Sequence, residues 1–484
     1  TAWLATIEVP AAGRRSRIQL ESSLEGMRVD LPYPIGKNLE TSRLLAISMR
    51  AGDGNRRDLR IRYGEDTRAA LEIELLNGKQ SIRTGELRFG GADAIVPKGD
   101  GIFVAGSLPQ LLAGDWVQAW NSSFADSIPE PRPENGLRQV ALDVGRLGLL
   151  GSTFEDVQIR ATKDGDGSWT TRFFGDGLKG TVRLLAATED GPLLATFDEV
   201  HYRSSAAEDA TRISDPREIP PIRLMIDHFI FNGRDLGVVK LSTTPTPAGL
   251  NFGDISIASR GFEARSNGFW NVEDGKQRSE FSVSLHSNSL SEFLESMGFE
   301  GENASEGATD IFLNARWQAS PMEFDLRKLN GALHFRSVNG RLLEVERGAT
   351  ERIFGLLSVT ALPKRLILDF NDLFETGLSY DSIDGSFNLE NGEAYTNNLV
   401  METNTARVEI AGRAGLVTED YDQTMTVTPK LTSSLPLAPL WLMEKAFNRE
   451  LFGNVFSAQY TITGSWADPK VEPITVESNV EERG

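Results

Sequence analysis

The segment FSAQYTITGSW, residues 456–466, alternates between apolar and polar side chains. In an extended strand, Tyr460, Ile462 and Trp466 would point to one side, and the intervening hydroxyl side chains would point to the other. Two prolines follow within ADPKVEPI, residues 467–474, where a strand should end. The segment therefore predicts a β-strand with one apolar face, and the fold depends on what covers that face.

The same alternation recurs along the whole chain, and turn signals such as AGDGN, LNGK and LENG separate the alternating segments. Clear examples are LRIRY (59–63), LEIEL (71–75), FSVSL (281–285), RVEIAG (407–412) and QTMTVTP (423–429). Short alternating segments joined by tight turns are typical of antiparallel sheets. We therefore predict a mainly β, antiparallel protein with one apolar face.

A chain of 484 residues predicts several domains or one elongated repetitive architecture. Proline- and serine-rich stretches at 122–136 and 204–221 are predicted to be loops. With these loops as boundaries, we expect four β-rich segments, at 1–121, 122–221, 222–320 and 321–484.

The composition excludes several classes of function. A net charge of −19 argues against a nucleic-acid partner, because phosphates would be repelled. The absence of cysteine excludes disulfides and thiolate metal sites. No run of 18 apolar residues is present, and the chain begins at Thr1 without a signal-peptide pattern. We expect a piece of a longer protein whose membrane anchor lies upstream.

The motifs that suggest catalysis or metal binding fail on inspection. GDGLKG (175–180) matches GxGxxG, but a second strand-like segment follows it, which favours a hairpin turn over a nucleotide site. KDGDGS (163–168) fails the calcium-loop pattern, which needs glycine and glutamate where Trp169 and Gly175 stand. The histidines have no metal-ligand spacing; they are His201, His228, His286 and His334. We predict no catalytic residue, no metal and no cofactor.

Several longer stretches resemble the periplasmic region of YhdP-like proteins in the AsmA superfamily. They are LEGMRVDLPYPIGK (24–37), GIFVAGSLPQLLAGDWVQAW (101–120), the stretch from LNGALHF to DSIDGSF (329–387) and YTITGSWADPKVEP (460–473). The resemblance covers essentially the whole chain, and the last 170 or so residues carry most of its specificity.

This resemblance implies a bridge-like phospholipid carrier of the Gram-negative envelope. Such a carrier is periplasmic and anchored in the inner membrane by an N-terminal segment. Its partners are phospholipid acyl chains and the inner and outer membranes, and it maintains the outer-membrane permeability barrier. The implied fold is a long curled antiparallel β-sheet, with a taco-like apolar groove and a few short helices.

Alternation alone does not distinguish a groove from a β-sandwich, since both cover one apolar face of a sheet. The resemblance favours the groove, and the alternating apolar residues are its predicted lining. They are Leu59, Ile61, Leu71, Ile73, Val283, Leu285, Ile311, Leu313, Leu366, Leu368, Phe387, Leu389, Val408, Ile410, Met425, Val427 and Ile462. The alternative is that these residues fill an ordinary core in a structural, scaffolding β-protein of the periplasm. An enzyme acting on envelope glycans is disfavoured, because no convincing carboxylate pair is present.

Helices are predicted near 290–297, 350–360 and 437–452. In the first, Ser289 and Glu292 have the spacing of a capping box. The last has apolar residues on more than one face, which suggests that it plugs the groove or contacts a membrane; capping the edge of the sheet is an equally good interpretation. Its apolar residues are Leu440, Trp441, Leu442, Met443, Phe447, Leu451 and Phe452.

Overall fold

The alternating segments form β-strands in the computed structural model. The structure describes residues 2–8, 16–52, 54–76, 79–116, 119, 136–149, 151–186, 191–203, 215–297, 304–342, 378–430 and 457–474. The chain divides into two units, one of Thr1–Ser214 with Pro220–Gly233 and one of Asp215–Ile219 with Arg234–Gly484. The mainly β fold is confirmed, and the finer division into four segments remains a prediction.

The first unit contains strands β1 to β13. Their bounds are β1 Leu4–Glu8, β2 Arg17–Ser22, β3 Leu45–Ala51, β4 Arg56–Tyr63, β5 Thr67–Leu76, β6 Lys79–Phe89, β7 Gly101–Leu112, β8 Leu137–Leu149, β9 Ser152–Lys163, β10 Trp169–Gly175, β11 Leu178–Leu184, β12 Leu193–Tyr202 and β13 Ile222–Phe231. Strands β1 to β6 pair in sequence order as antiparallel neighbours, and so do strands β8 to β12.

Three strand pairs of this unit are parallel, so the expectation of a purely antiparallel sheet is wrong there. The pairs are β6–β7, β7–β8 and β12–β13. The connections span residues 90–100, 113–136 and 203–221, each longer than a hairpin turn. Two parallel strands begin at the same edge of the sheet, so the chain must cross back to that edge between them. This crossover needs a long connection. The last two contain the proline- and serine-rich stretches of the sequence.

The second unit contains strands β14 to β26 and one short α-helix. Their bounds are β14 Arg234–Asp235, β15 Val238–Thr246, β16 Gly249–Ala258, β17 Glu263–Glu273, β18 Lys276–Ser287, α1 Leu290–Ser296, β19 Ala304–Trp317, β20 Asn330–Leu342, β21 Leu378–Glu390, β22 Glu393–Glu402, β23 Ala406–Gly415, β24 Asp420–Pro429, β25 Ala458–Ser465 and β26 Asp468–Pro473. Short 3-10 helices lie at Pro216–Glu218, Pro321–Glu323 and Leu326–Lys328. Strands β15 to β26 pair in sequence order, each antiparallel to the next.

Helix α1 confirms the helix predicted near 290–297. The hydroxyl of Ser289 accepts a hydrogen bond from the backbone N–H of Glu292, as an N-cap does. Leu290, Phe293 and Leu294 are buried, and the ring of Phe293 meets that of Phe262 edge-on at 5.8 Å. The helices predicted near 350–360 and 437–452 lie outside the described residues.

The core of the second unit lies on one side of its later strands. Ile462 of β25 is fully buried, and Trp466 just beyond β25 is 6 % exposed. Both belong to a buried apolar cluster that also contains Tyr421 and Met425 of β24. Ile462 and Trp466, on the apolar side of this segment, are thus covered within the second unit.

Candidate functional site

The register of the first unit places apolar side chains in a continuous row across eight neighbouring strands. Each residue of this first apolar row lies opposite the next, and the parallel pairs β6–β7 and β7–β8 preserve the alignment. All are half-buried except the last, which is buried. The row consists of Leu20, Ile47, Ile61, Ala69, Leu87, Val104, Val140 and Ala161.

The four lining residues predicted in this unit lie on or beside the first apolar row. Leu59 lies opposite Leu71, and Ile61 belongs to the row itself. Ile73 lies opposite Ile82, whose side chain is 41 % exposed. All four are half-buried, so part of each apolar side chain remains in contact with solvent.

The intervening residues of the same strands carry charges. Glu72, which alternates with Leu71 and Ile73, forms an ion pair of 2.5 Å with Arg83 of β6. Arg83 is also paired with Asp100. The sheet therefore separates an apolar face from a charged one, as the alternation predicts.

In the second unit the corresponding feature is an apolar cavity of about 290 Å³, which we call the β16–β19 cavity. Val283 of β18 and Leu313 of β19 face each other and line it. Leu285 and Ile311 form the next facing pair along the same strands. All four were predicted as lining residues, and the structure brings them together half-buried. The cavity surface consists almost wholly of apolar atoms.

The same face continues towards the later strands but is covered there. Leu313 lies opposite Leu333 of β20, which lies opposite Phe387 of β21. From Phe387 onward the predicted lining residues are less than a tenth exposed and belong to the buried apolar cluster. They are Phe387, Leu389, Val408, Ile410, Met425, Val427 and Ile462. That these residues line a lipid-binding groove remains a prediction.

Comparison with known proteins identifies the family of the chain. A family model described as YhdP protein matches residues 1–471. The chain belongs to the YhdP family. It is similar to a protein of Escherichia coli strain K12 named intermembrane phospholipid transporter YhdP. The identity is 20 % across 96 % of this chain and 37 % of that protein, so the chain spans little more than a third of its relative. No solved structure matches this YhdP-family chain significantly.

Some residues of interest in this YhdP-family chain lie outside the described residues. They include two predicted lining residues, Leu366 and Leu368, and the apolar positions of the last predicted helix. The latter are Leu440, Trp441, Leu442, Met443, Phe447, Leu451 and Phe452. Their roles remain predictions.

Sequence reasoning missed part of the β16–β19 cavity. Ile255 and Ile257 of β16 line it, and their alternation in DISIAS was a signal that could have identified them. Trp317 continues the alternation of Leu313 through β19. Phe324 also lines the cavity but lies after β19 in a segment without periodicity, so no local pattern marks it.

The outer face of the second unit carries a row of ionisable side chains. The register aligns five strands, β17 to β21, and the aligned residues are Glu263, His286, Asp310, Arg336 and Asp384. His286 Nδ1 lies 2.7 Å from an oxygen of Asp310. This hydrogen bond, with a second one to Asn288, raises the pKa of His286 above its ordinary value.

The GxGxxG motif forms a hairpin, as predicted. Strand β10 ends at Gly175 and β11 begins at Leu178, with Gly177 at a φ of +74° in the turn between them. In the KDGDGS turn, one carboxylate oxygen of Asp164 accepts a hydrogen bond from the hydroxyl of Thr170, and the hydroxyl of Ser168 donates to Asp166. Across the described parts of the chain, no three His, Cys, Asp or Glu residues are arranged to hold a metal ion. Within those same parts, no helix combines the length and apolar character needed to cross a membrane.

Proposed function

We propose that this chain is a non-catalytic segment of a phospholipid carrier that works between the inner and outer membranes. The observation that carries the proposal is that each unit, taken by itself, leaves apolar side chains half-exposed on neighbouring strands. In the first unit they form the first apolar row, and in the second they are the half-buried residues that line the β16–β19 cavity. Membership of the YhdP family and the name of the Escherichia coli relative support the same function.

The physical basis is the transfer of acyl chains from water to an apolar surface. Each methylene group that leaves water gains about 0.8 kcal/mol. Successive positions along a row of Leu, Ile, Val and Ala side chains are all aliphatic. A lipid can therefore move from one position to the next without losing a specific hydrogen bond. We propose that the sheet curls into a taco-like groove, with its charged face outward in the periplasm.

The rest of the proposal concerns the whole protein. The whole protein would be held at the inner membrane, and the phospholipid that it transports would maintain the permeability barrier of the outer membrane. The net charge of −19 offers no attraction to anionic headgroups, which supports contact through apolar surface. The proposed activity uses no cofactor and no catalytic residue.

A scaffolding role is the alternative, and one observation favours it. The later strands of the second unit bury their apolar face almost completely; Val408 is 4 % exposed and Met425 is fully buried. Such a face is an ordinary packed core. A carrier and a scaffold therefore differ in whether lipid occupies the half-exposed parts of the face.

Extraction of the purified protein with organic solvent, followed by mass spectrometry, distinguishes the two functions. A carrier should retain phospholipid in molar excess over protein. The double variant Val283→Asp with Leu313→Asp should retain less, because it places two carboxylates on the cavity wall.

The matched control is Ser282→Asp with Asn314→Asp. These two residues are exposed, lie on the opposite face of the same two strands and are joined by a hydrogen bond of 2.7 Å. A wild-type protein free of phospholipid would contradict the carrier function. Equal retention by the two double variants would show that the β16–β19 cavity does not hold lipid.

A further inference from the structure

Three exposed apolar side chains lie within five residues in the segment that follows β19. Met322, Phe324 and Leu326 are 58 %, 49 % and 41 % exposed. Phe324 also lines the cavity, and its ring meets that of Trp317 edge-on, with centroids 5.1 Å apart. We call residues 321–326 the lip. Within the lip, Phe324 is the residue that both lines the apolar cavity and reaches solvent.

Hydrogen bonds hold both ends of the lip. At its start, the indole N–H of Trp317 donates to the carbonyl oxygen of Ser320 at 2.9 Å, and the Ser320 hydroxyl donates to Glu323 at 3.0 Å. At its end, Asp325 accepts from the backbone N–H of Arg327 at 2.9 Å. Apolar residues held at the surface in this way are typical of binding sites.

We infer that the lip is a lateral entry site, where one acyl chain of a phospholipid enters the β16–β19 cavity past Phe324. This inference rests on the proposed function and adds the place of entry and the residue that controls access. A chain that passed Phe324 would next meet Trp317, which stacks on Phe281 with ring centroids 5.6 Å apart.

The chemistry of the cavity selects an acyl chain over a peptide. Arg265 and Ser266 are the two polar residues of the lining, but they expose almost no polar surface to the cavity. A peptide segment would therefore bury most of its backbone N–H and C=O groups against apolar atoms, at a cost of several kcal/mol. An acyl chain carries no such groups. A volume of about 290 Å³ lies just below the usual range for ligand pockets, which suits part of one acyl chain and leaves the headgroup outside.

Photocrosslinking tests the entry site directly. A photoreactive phenylalanine analogue replaces either Phe324 or Phe312, and each protein is incubated with vesicles of phosphatidylcholine and phosphatidylglycerol. Phe312 is the matched control, because it is 51 % exposed but lies on the outer face of β19, stacked on His334. We expect phospholipid adducts at position 324 and none above background at position 312.

Substitution gives a second, independent readout. Phe324→Asp should slow the uptake of phospholipid from these vesicles about tenfold or more, because a carboxylate would stand in the path of the chain. Phe312→Asp should leave the uptake rate unchanged. Both side chains are about half exposed, so both variants should fold, and circular dichroism checks this.

The outcomes separate this inference from the proposed function. Suppose that the protein binds phospholipid. Equal adducts at positions 324 and 312, or uptake unaffected by Phe324→Asp, would then overturn the entry site but not the carrier function. A protein that binds no phospholipid would overturn both. Adducts to a copurified polypeptide at position 324 would identify the lip as a protein-binding surface and overturn the inference.

Discussion

The indole N–H of Trp466 donates a hydrogen bond of 3.0 Å to the main-chain carbonyl oxygen of Asp420. The backbone N–H of Trp466 bonds to the carbonyl oxygen of Glu419 at 2.7 Å, and its ring lies 6.0 Å from that of Tyr421. Trp466 thus ties the end of β25 to the start of β24.

Truncation of Trp466 should therefore destabilise the second unit. We expect Trp466→Ala to lower the free energy of unfolding by about 3–5 kcal/mol, because it removes a large buried ring. Trp466→Phe keeps most of the ring but leaves the Asp420 carbonyl without its indole donor, at a cost of about 1–2 kcal/mol. Urea denaturation measures both, with Trp3→Ala as control, since Trp3 is 50 % exposed. Equal losses for the two Trp466 variants would contradict this account.

The protonation of His286 should depend on Asp310. Glu263 on β17 and Asp310 on β19 flank His286, and Arg336 lies beyond Asp310 on β20. The hydrogen bond to Asp310 raises the pKa of His286. We expect an NMR titration of the His286 ring to give a pKa above the usual value of about 6.5, and Asp310→Asn to lower that pKa.

A raised histidine pKa also fixes the sign of its effect on stability. The contribution of protonated His286 to the free energy of unfolding is fully present below the pKa of this histidine in the unfolded state. It is lost as the pH rises through the pKa of His286 in the folded state. It should be below about 1 kcal/mol, because the side chains of His286 and Asp310 are 53 % and 44 % exposed. A His286 pKa that Asp310→Asn leaves unchanged would contradict the assignment.

Charged substitutions should cost less stability in the half-buried part of the apolar face than in the fully covered part. Val408 is 4 % exposed and lies opposite Val427, so Val408→Asp buries an unpaired carboxylate and should cost about 3–5 kcal/mol. Val283 is half-buried beside the β16–β19 cavity, so Val283→Asp should cost markedly less. Thermal melting of the two variants checks this order, and a reversed order would contradict it.

A side chain at position 340 should destabilise the protein. A Cβ atom there would lie 2.2 Å from the hydroxyl oxygen of Tyr380, which is 2.7 Å from the hydroxyl of Ser337. We expect Gly340→Ala to lower the free energy of unfolding by about 1–3 kcal/mol through overpacking. Gly165→Ala is the control, because its Cβ would meet open space. Similar unfolding free energies for the two variants would be evidence against this packing.

Local sequence patterns predicted those strands and helices that depend only on residues close together in the sequence. The alternation around Val283 became β18, and the capping signal at Ser289 became the start of α1. The parallel pairs escaped prediction, because alternation is the same in parallel and antiparallel strands. Residues 113–136 and 203–221 connect the strands of two of the parallel pairs. These connections are too long for hairpin turns, and this length was the feature of the sequence that indicated parallel pairing.

The sequence by itself determined which side chains share a face, because the two-residue period of a strand is a local property of the backbone. Val283 and Val408 stand in the same alternating pattern, yet one is half-buried beside a cavity and the other is enclosed in a core. Only the tertiary structure decided this, because the cover over a sheet comes from residues distant in sequence. Phe324 reaches the cavity without any periodic signal, because its place depends on the packing of its ring against Trp317 and not on the alternation of a strand.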